Sequence, residues 1–149
     1  MNWTRWVITL VLMIGSSSAL SSDLEACFEA AASRYHLPSS LLMAIGRAES
    51  GLQPAVYRVN ADGSEDIGVM QINAWWLPRL EAYGITRADL EEPCTNIQVG
   101  AWILAQEVIR FGYTWEAVGA YNAGPSPARA GMRRRYALRV ARHLEVVDE

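Results

Sequence analysis

The sequence predicts a mainly α-helical single domain with a small irregular or β-hairpin segment at its centre. Its length of 149 residues fits one domain. Apolar residues recur at helical spacing through most of the chain, whereas turn-forming residues collect at 60–64. Hydrophobic residues make up 51% of the chain, which is enough for one core and argues against a disordered protein.

The first 21 residues are predicted to be a secretory signal peptide. Arg5 precedes an apolar run at 7–15, and small residues follow at 16–19, which is the three-part pattern of such a peptide. The run is too short to span a bilayer, so we expect export, with cleavage within 19–22. The alternatives are an amphipathic first helix or a short anchor. The mature domain would then comprise residues 22–149.

Helix signals divide the start of the mature domain into two helices. Ser22 and Glu25 form a capping-box pattern at the start of the first helix. Pro38 separates the helices, Ser39 is the expected cap of the second, and Gly51 is its expected end.

The central segment, residues 55–73, reads as a loop in which the alternation at 67–72 permits a small strand or hairpin. Helical patterns return after it, and Gly112 and Gly124 interrupt them. The predicted helical segments are 75–83, 86–90, 96–111, 114–121 and 128–147, and Thr114 is the expected cap of the fourth.

The two cysteines of the chain, Cys27 and Cys94, are predicted to form a disulfide, because an even count in an exported protein favours one over two buried thiols. Two separated cysteines and two histidines show no ligand spacing, so no metal site is expected. The net charge of −3 gives no reason to expect a nucleic-acid partner.

Glu49 is the most informative residue of the chain. It falls in the last turn of the second predicted helix, where the helix dipole disfavours its charged form. Apolar neighbours act in the same direction, so both effects raise its pKa and keep a proton available for general acid catalysis. The alternative is a solvent-exposed glutamate at a helix end.

Three short motifs around this residue resemble those of the lysozyme-like lytic transglycosylases. They are Glu49-Ser50 with Pro54, Gly68-Val69-Met70-Gln71 with Ile72-Asn73, and Ala120-Tyr121-Asn122-Ala123-Gly124. They occur in the family's order. The resemblance runs from about residue 27 to residue 124, with a weaker tail at Tyr136 and Val140.

The resemblance implies the goose-type lysozyme and soluble lytic transglycosylase fold, a periplasmic location, and cleavage of the peptidoglycan bond between N-acetylmuramic acid and N-acetylglucosamine. The muramic 6-hydroxyl closes on its own anomeric carbon, so the product is 1,6-anhydromuramic acid. Glu49 can then serve as both acid and base, without the second carboxylate that most glycosidases need. The chemistry needs no cofactor.

The resemblance also implies which residues surround Glu49. The expected substrate-binding residues are Ser50, Met70, Gln71, Asn73, Tyr121, Asn122 and Tyr136. Asn60, Asp66 and Gly68 are expected to be structural residues near the site. Tyr121 is expected to contact Glu49 through its hydroxyl, while the alternatives are core packing for Met70 and a helix-end role for Ser50.

Small size and the cysteine pair most resemble specialised members that accompany secretion, conjugation or pilus machines. Peptidoglycan strands and such a machine are the expected partners, and a monomer is the default state. Two rival functions remain: a hydrolytic muramidase and a non-catalytic peptidoglycan-binding scaffold. The arginine-rich segment 127–143 would contact anionic polymer or a partner protein, or form a solvated helix face.

Overall fold

The computed structural model describes residues 16–145 and confirms the predicted mainly helical fold with a small sheet. The helices are α1 Ser16–Tyr35, α2 Ser39–Ser50, α3 Leu77–Glu81, α4 Pro93–Phe111, α5 Trp115–Ala123 and α6 Ala130–Glu145. The strands are β1 Tyr57–Val59, β2 Glu65–Ile67 and β3 Ile72–Asn73. Short 3-10 turns occupy Ala74–Trp76, Asp89–Glu91 and Pro127–Arg129. Within 16–145, none of the helices combines the length and apolar character needed to cross a bilayer.

The predicted signal peptide lies mostly outside the described residues, as do residues 146 and 147 of the last predicted helix. The capping-box prediction at Ser22 was wrong, because α1 already begins at Ser16 and Ser22 lies inside it. Ser39 is not the cap of α2 either. Pro38 holds that position with φ −64°, a value that its ring favours at a helix start.

The end of α2 is the element boundary that matters most for the site. Gly51 adopts φ 65° and ψ 30°, and its N–H donates to the carbonyl of Arg47, as a glycine C-cap does. The sequence predicted this end, and the structure confirms it. Glu49 is thereby held in the last turn of the helix.

The central segment forms an antiparallel sheet in the order β1-β2-β3. Tyr57 lies opposite Ile67 in the first pair, and Asp66 lies opposite Asn73 in the second. The predicted β-hairpin is therefore present, with one additional short strand. The sheet follows α2 directly, which brings its polar residues next to the end of that helix.

Two of the later helices, α4 and α6, begin at different residues from those predicted. Helix α4 starts at Pro93, because the Glu92 carboxylate accepts hydrogen bonds from the N–H groups of Cys94 and Thr95. Thr114 caps α5 as predicted, accepting from Ala117 N at 3.4 Å. Of the short segments, 75–83 is a 3-10 turn followed by α3, and 86–90 reduces to the 3-10 turn Asp89–Glu91.

Helix α4 packs against α1 and α5, while α6 packs against α2 and α5. The predicted disulfide is confirmed between Cys27 of α1 and Cys94 of α4, with the two Cα atoms 5.0 Å apart. Helices α5 and α6 cross closely at Gly119, where an added Cβ would lie 2.5 Å from the carbonyl oxygen of Arg133. This packing places one face of α6 against the end of α2.

Candidate active site

Glu49 is buried at the end of α2, with only 7% of the residue exposed. The hydroxyl of Tyr136, on α6, donates a hydrogen bond to Glu49 Oε1 at 2.6 Å. Burial raises the pKa of Glu49 above its ordinary value, while the Tyr136 hydrogen bond and the charge of Arg139 lower it to a smaller extent. The net shift is upward, so the group retains its proton to higher pH than an exposed glutamate.

Two tyrosines flank the acid, and they have different roles. Tyr121 and Tyr136 stack with ring centroids 6.3 Å apart. The Tyr121 hydroxyl donates to the carbonyl of Met70 at 2.7 Å, so the predicted contact between Tyr121 and Glu49 is replaced by the one from Tyr136. Burial and the charge of Glu49 raise the pKa of both phenols well above the usual value, so both remain hydrogen-bond donors.

Ser50 uses its hydroxyl to join α2 to the second motif. The hydroxyl lies 2.7 Å from the carbonyl oxygen of Val69 and 3.2 Å from that of Gly46, and it accepts from Gln53 N. No bond to Glu49 is formed. These contacts correspond to the helix-end role for Ser50, and its contact with substrate stays a prediction.

The turn at 68–71 depends on a residue that sequence reasoning missed. Asn96 is fully buried at the start of α4, donates to the carbonyls of Ile67 and Leu90, and accepts from Met70 N, all at 2.8 Å. A polar residue within an otherwise apolar helix face was the available signal. An added Cβ at Gly68, whose φ is +75°, would lie 2.4 Å from Asn96 Nδ2.

The side chain of Met70 is completely buried. An added Cβ at Gly100 of α4 would lie 2.9 Å from Met70 atoms, so this side chain packs on α4. The prediction that Met70 contacts substrate is therefore corrected to the alternative, core packing. Its backbone still serves the site, because its carbonyl accepts from Tyr121.

Gln71 and Asn73 were expected to bind substrate, but most of their amide groups form hydrogen bonds within the protein. Gln71 Nε2 donates to the carbonyls of Val56 and Gly68, while its Oε1 is buried without a hydrogen-bond partner in the described part of the chain. Asn73 Nδ2 donates to Asp66 Oδ1 at 2.8 Å and to Ser64 Oγ at 3.1 Å, and Asn73 Oδ1 accepts from Trp75 N. Both nitrogens are therefore committed within the protein, so neither amide offers free N–H groups to a sugar.

Asp66 lies at the centre of the polar network of the sheet. Its two carboxylate oxygens accept from Asn60 Nδ2 at 3.0 Å and from Asn73 Nδ2 at 2.8 Å. Its charge also contributes to the raised pKa of Glu49, although less than burial does. Asn60 and Asp66 thus hold the strands together beside the acid.

The solvent-facing part of the site comes from three other residues. Asn122 is exposed on α5, next to Tyr121 in the third motif. Arg58 of β1 and Arg139 of α6 are also exposed, and both charges act on Glu49. Among residues 16–145, no group of three histidine, cysteine or acidic side chains is arranged to hold a metal ion.

Comparison with known proteins agrees with this geometry. The family model "Transglycosylase SLT domain" matches residues 26–143. Invasion protein IagB of Salmonella typhimurium is 44% identical over 115 residues, which span 76% of this chain and 72% of that protein. Protein IpgF of Shigella flexneri is 41% identical over 125 residues, which span 83% of this chain and 82% of the relative.

A solved structure supplies the corresponding fold. The X-ray structure of an inactive mutant of lytic transglycosylase Slt from Pseudomonas aeruginosa matches with a TM-score of 0.66 and 24% identity. The match covers 81% of this chain but 23% of that one, so the chain corresponds to less than a quarter of the larger protein. By its sequence match and its lysozyme-like fold, the chain belongs to the transglycosylase SLT domain family and is a peptidoglycan lytic transglycosylase.

Proposed function

We propose that Glu49 is the single acid and base with which this enzyme cleaves the bond between N-acetylmuramic acid and N-acetylglucosamine. The observation that carries the proposal is a buried carboxyl group with a raised pKa, held by the Tyr136 hydroxyl at 2.6 Å. A general acid must keep its proton near the working pH, and burial supplies that condition here.

The reaction consists of two proton transfers. Protonated Glu49 gives its proton to the glycosidic oxygen while the bond from that oxygen to the muramic anomeric carbon breaks. The resulting carboxylate then takes the proton of the muramic 6-hydroxyl, whose oxygen forms the new bond to the anomeric carbon. Glu49 is regenerated in its protonated form and no water is consumed. The Tyr136 hydrogen bond stabilises the carboxylate between the two steps.

The surroundings of Asp66 favour this reaction over hydrolysis with two carboxylates. Each oxygen of Asp66 already accepts from an asparagine amide, which fixes the group within the sheet. A glycosidase that forms a covalent intermediate needs its second carboxylate as a nucleophile. Glu49 therefore acts with a nucleophile that the substrate itself supplies. Its burial also speaks against a non-catalytic scaffold, for which an acid with a raised pKa has no use.

The test is digestion of purified peptidoglycan sacculi with the parent protein and with Glu49→Gln. We expect the parent to release anhydro-muropeptides, one water lighter than hydrolytic products, and the variant to release them at least ~100-fold more slowly. Glu81→Gln, an exposed change of the same kind on α3, should match the parent. Unchanged release by Glu49→Gln would contradict the assignment, and hydrolytic masses would assign a muramidase.

The place of action in our proposal is the periplasm, reached through the signal peptide at 1–21. Peptidoglycan lies outside the cytoplasmic membrane, so the enzyme must be exported to reach it. Local wall opening for an envelope-spanning machine fits the small domain and its 44% identity to a protein named for invasion. We propose that the enzyme acts as a monomer beside a secretion, conjugation or pilus machine.

A further inference from the structure

We propose that Arg58 and Arg139 form a carboxylate-binding site beside Glu49, which recognises the anionic group attached to O3 of the muramic ring. That group is a lactyl carboxylate in bare glycan and a stem peptide with free carboxylates in the intact wall. The proposal rests on the function proposed above and specifies which side of the scissile bond the protein recognises by charge.

Arg58 reaches the site from the sheet. It is exposed on β1, and its Nη2 donates to the backbone carbonyl of Glu49 at 3.0 Å. This bond holds the guanidinium against the backbone at the end of α2, close enough for its charge to act on the Glu49 carboxyl group. A guanidinium has five N–H donors in a planar fork, so the others are left for a further acceptor.

Arg139 approaches Glu49 from α6. Its guanidinium carbon lies 4.9 Å from the centre of the Tyr136 ring, and the hydroxyl of that ring binds Glu49. The cation–π contact orients the side chain without using its N–H donors. The charges of both arginines act on Glu49, which agrees with their closeness to it.

Neither arginine is neutralised within the described residues. The ion pairs formed there involve Arg87, Arg110 and Arg133, all elsewhere on the surface. The carboxylate of Asp66, opposite Arg58 in the sheet, also acts on Glu49 and offsets one of these two positive charges. The two exposed guanidinium groups outnumber it, so a local positive charge remains beside the uncharged general acid. A guanidinium fork matches a carboxylate in shape and charge. Of the two sugars at the scissile bond, muramic acid carries carboxylates and N-acetylglucosamine carries none.

A competing role for the two arginines is to stabilise the Glu49 carboxylate alone. That role would change the pH profile of the reaction, yet it would not make binding depend on the charge of the ligand. Binding measured without turnover therefore separates the two roles. Glu49→Gln supplies a background in which the sacculi remain intact and the group at position 49 stays uncharged.

In that background, Arg139→Gln alone and Arg58→Gln with Arg139→Gln would be tested for binding to sacculi. We expect affinity to fall about threefold for the single change and about tenfold for both. The control is Arg134→Gln, an exposed α6 change roughly 200° around the helix from Tyr136, which should leave affinity unchanged. Soluble N-acetylglucosamine oligomers, which are neutral, should bind all variants equally.

Sacculi stripped of stem peptides by an amidase distinguish the two sources of carboxylate. A loss that persists on stripped strands assigns the lactyl group, whereas a loss confined to intact sacculi assigns the stem peptide. The proposal is overturned if both arginine variants bind sacculi like the parent background, or if binding to the neutral oligomers falls equally. Anhydro-muropeptide release by the parent is scored separately, so failure of the proposed function is recognised independently.

Discussion

At the scale of single residues, the pKa of Glu49 is set by opposing effects. Burial favours the protonated acid that the first proton transfer requires. The Tyr136 hydrogen bond and the nearby arginine charges favour the carboxylate that the second transfer requires. In the proposed reaction, Glu49 gives and then regains one proton. Such a group works best when neither form is strongly favoured, so the counteracting contacts would serve that reaction as much as burial does.

This balance predicts the effect of Tyr136→Phe. Loss of the hydroxyl removes a contact that lowers the pKa of Glu49, so that pKa should rise further. Activity requires the protonated acid and declines as pH rises through this pKa, so the alkaline limb of kcat/KM should move to higher pH. The rate at its maximum should fall about tenfold, because the carboxylate between the steps loses a donor.

The measurement is a pH–rate profile on solubilised glycan strands for the parent, Tyr136→Phe and Tyr83→Phe. Tyr83 is exposed near α3 and serves as the matched control. If Tyr136→Phe has a lower rate but an alkaline limb at the same pH as the parent, the Tyr136 hydroxyl does not affect the pKa of Glu49.

Sequence reasoning predicted the sheltered position of Glu49 and the direction of its pKa shift, but it expected Tyr121 to contact Glu49, where the structure has Tyr136. The hydroxyl of Tyr136 meets a carboxylate 87 positions earlier in the chain, and that meeting depends on how α6 crosses the end of α2. Ser50 raises the same difficulty, since its partner Val69 lies across a loop. Local sequence patterns predict where helices end and which residues are buried. The partners of a side chain depend on tertiary packing, which those patterns do not show.

At the scale of elements, the turn at 68–71 is the part that relies most on a single backbone shape. Gly68 has φ +75°, and Asn96 fills the space beside it while satisfying three backbone groups. Tyr121 binds the carbonyl of Met70 in the same turn. These internal contacts hold the second motif in its shape, and most of its polar groups are used in them and not left free for substrate.

We expect Gly68→Ala to destabilise the protein by about 3 kcal/mol, because it combines an unfavourable φ with a clash against Asn96. Gly63→Ala is the matched control, since Gly63 has φ +84° and nothing within 4 Å of an added Cβ. Gly63→Ala should lower the free energy of unfolding by about 1 kcal/mol, which is the cost of the left-handed backbone conformation for a residue with a Cβ. Urea unfolding of both variants gives the comparison. Equal losses would mean that the clash with Asn96 is relieved by movement of the turn.

The helix boundaries show which local signals were sufficient. Gly51 and Thr114 ended and began helices as predicted, because a left-handed glycine and a capping threonine act through their own backbone neighbourhood. Glu92 was missed as a cap, since glutamate is an unusual residue in that position. Ser22 was misassigned because a capping-box pattern does not stop a helix from starting earlier.

At the scale of the whole molecule, two long-range connections hold the helices around the site. Arg133 is 6% exposed, pairs with Glu116 and donates to the carbonyls of Gly124 and Ser126, so it belongs to the α5–α6 junction. The interpretation of the whole arginine-rich segment as a solvated face is wrong at this residue. The burial of Arg133 could not be predicted from the sequence, because the arginines of this segment differ only in the direction in which each side chain leaves the backbone.

The second connection is the disulfide between Cys27 and Cys94, which ties α1 to α4 across 67 positions of chain. A closed loop of this length removes chain entropy from the unfolded state, for which the entropic model gives about 4 kcal/mol. We expect Cys27→Ser with Cys94→Ser to lower the Tm by roughly 10 °C in a domain of this size. The disulfide joins α1 to α4, whereas Glu49 and Tyr136 lie on α2 and α6, so activity below both transitions should be kept.

Thermal unfolding followed by circular dichroism, with and without reductant, checks this directly. Reductant should bring the parent down to the Tm of the double variant and leave the variant unchanged, because the variant has no bond to lose. In reductant, each single variant, Cys27→Ser or Cys94→Ser, should have the same Tm as the double variant. A parent Tm that does not respond to full reduction, verified by thiol titration, would show that helix packing alone sets the stability of this fold.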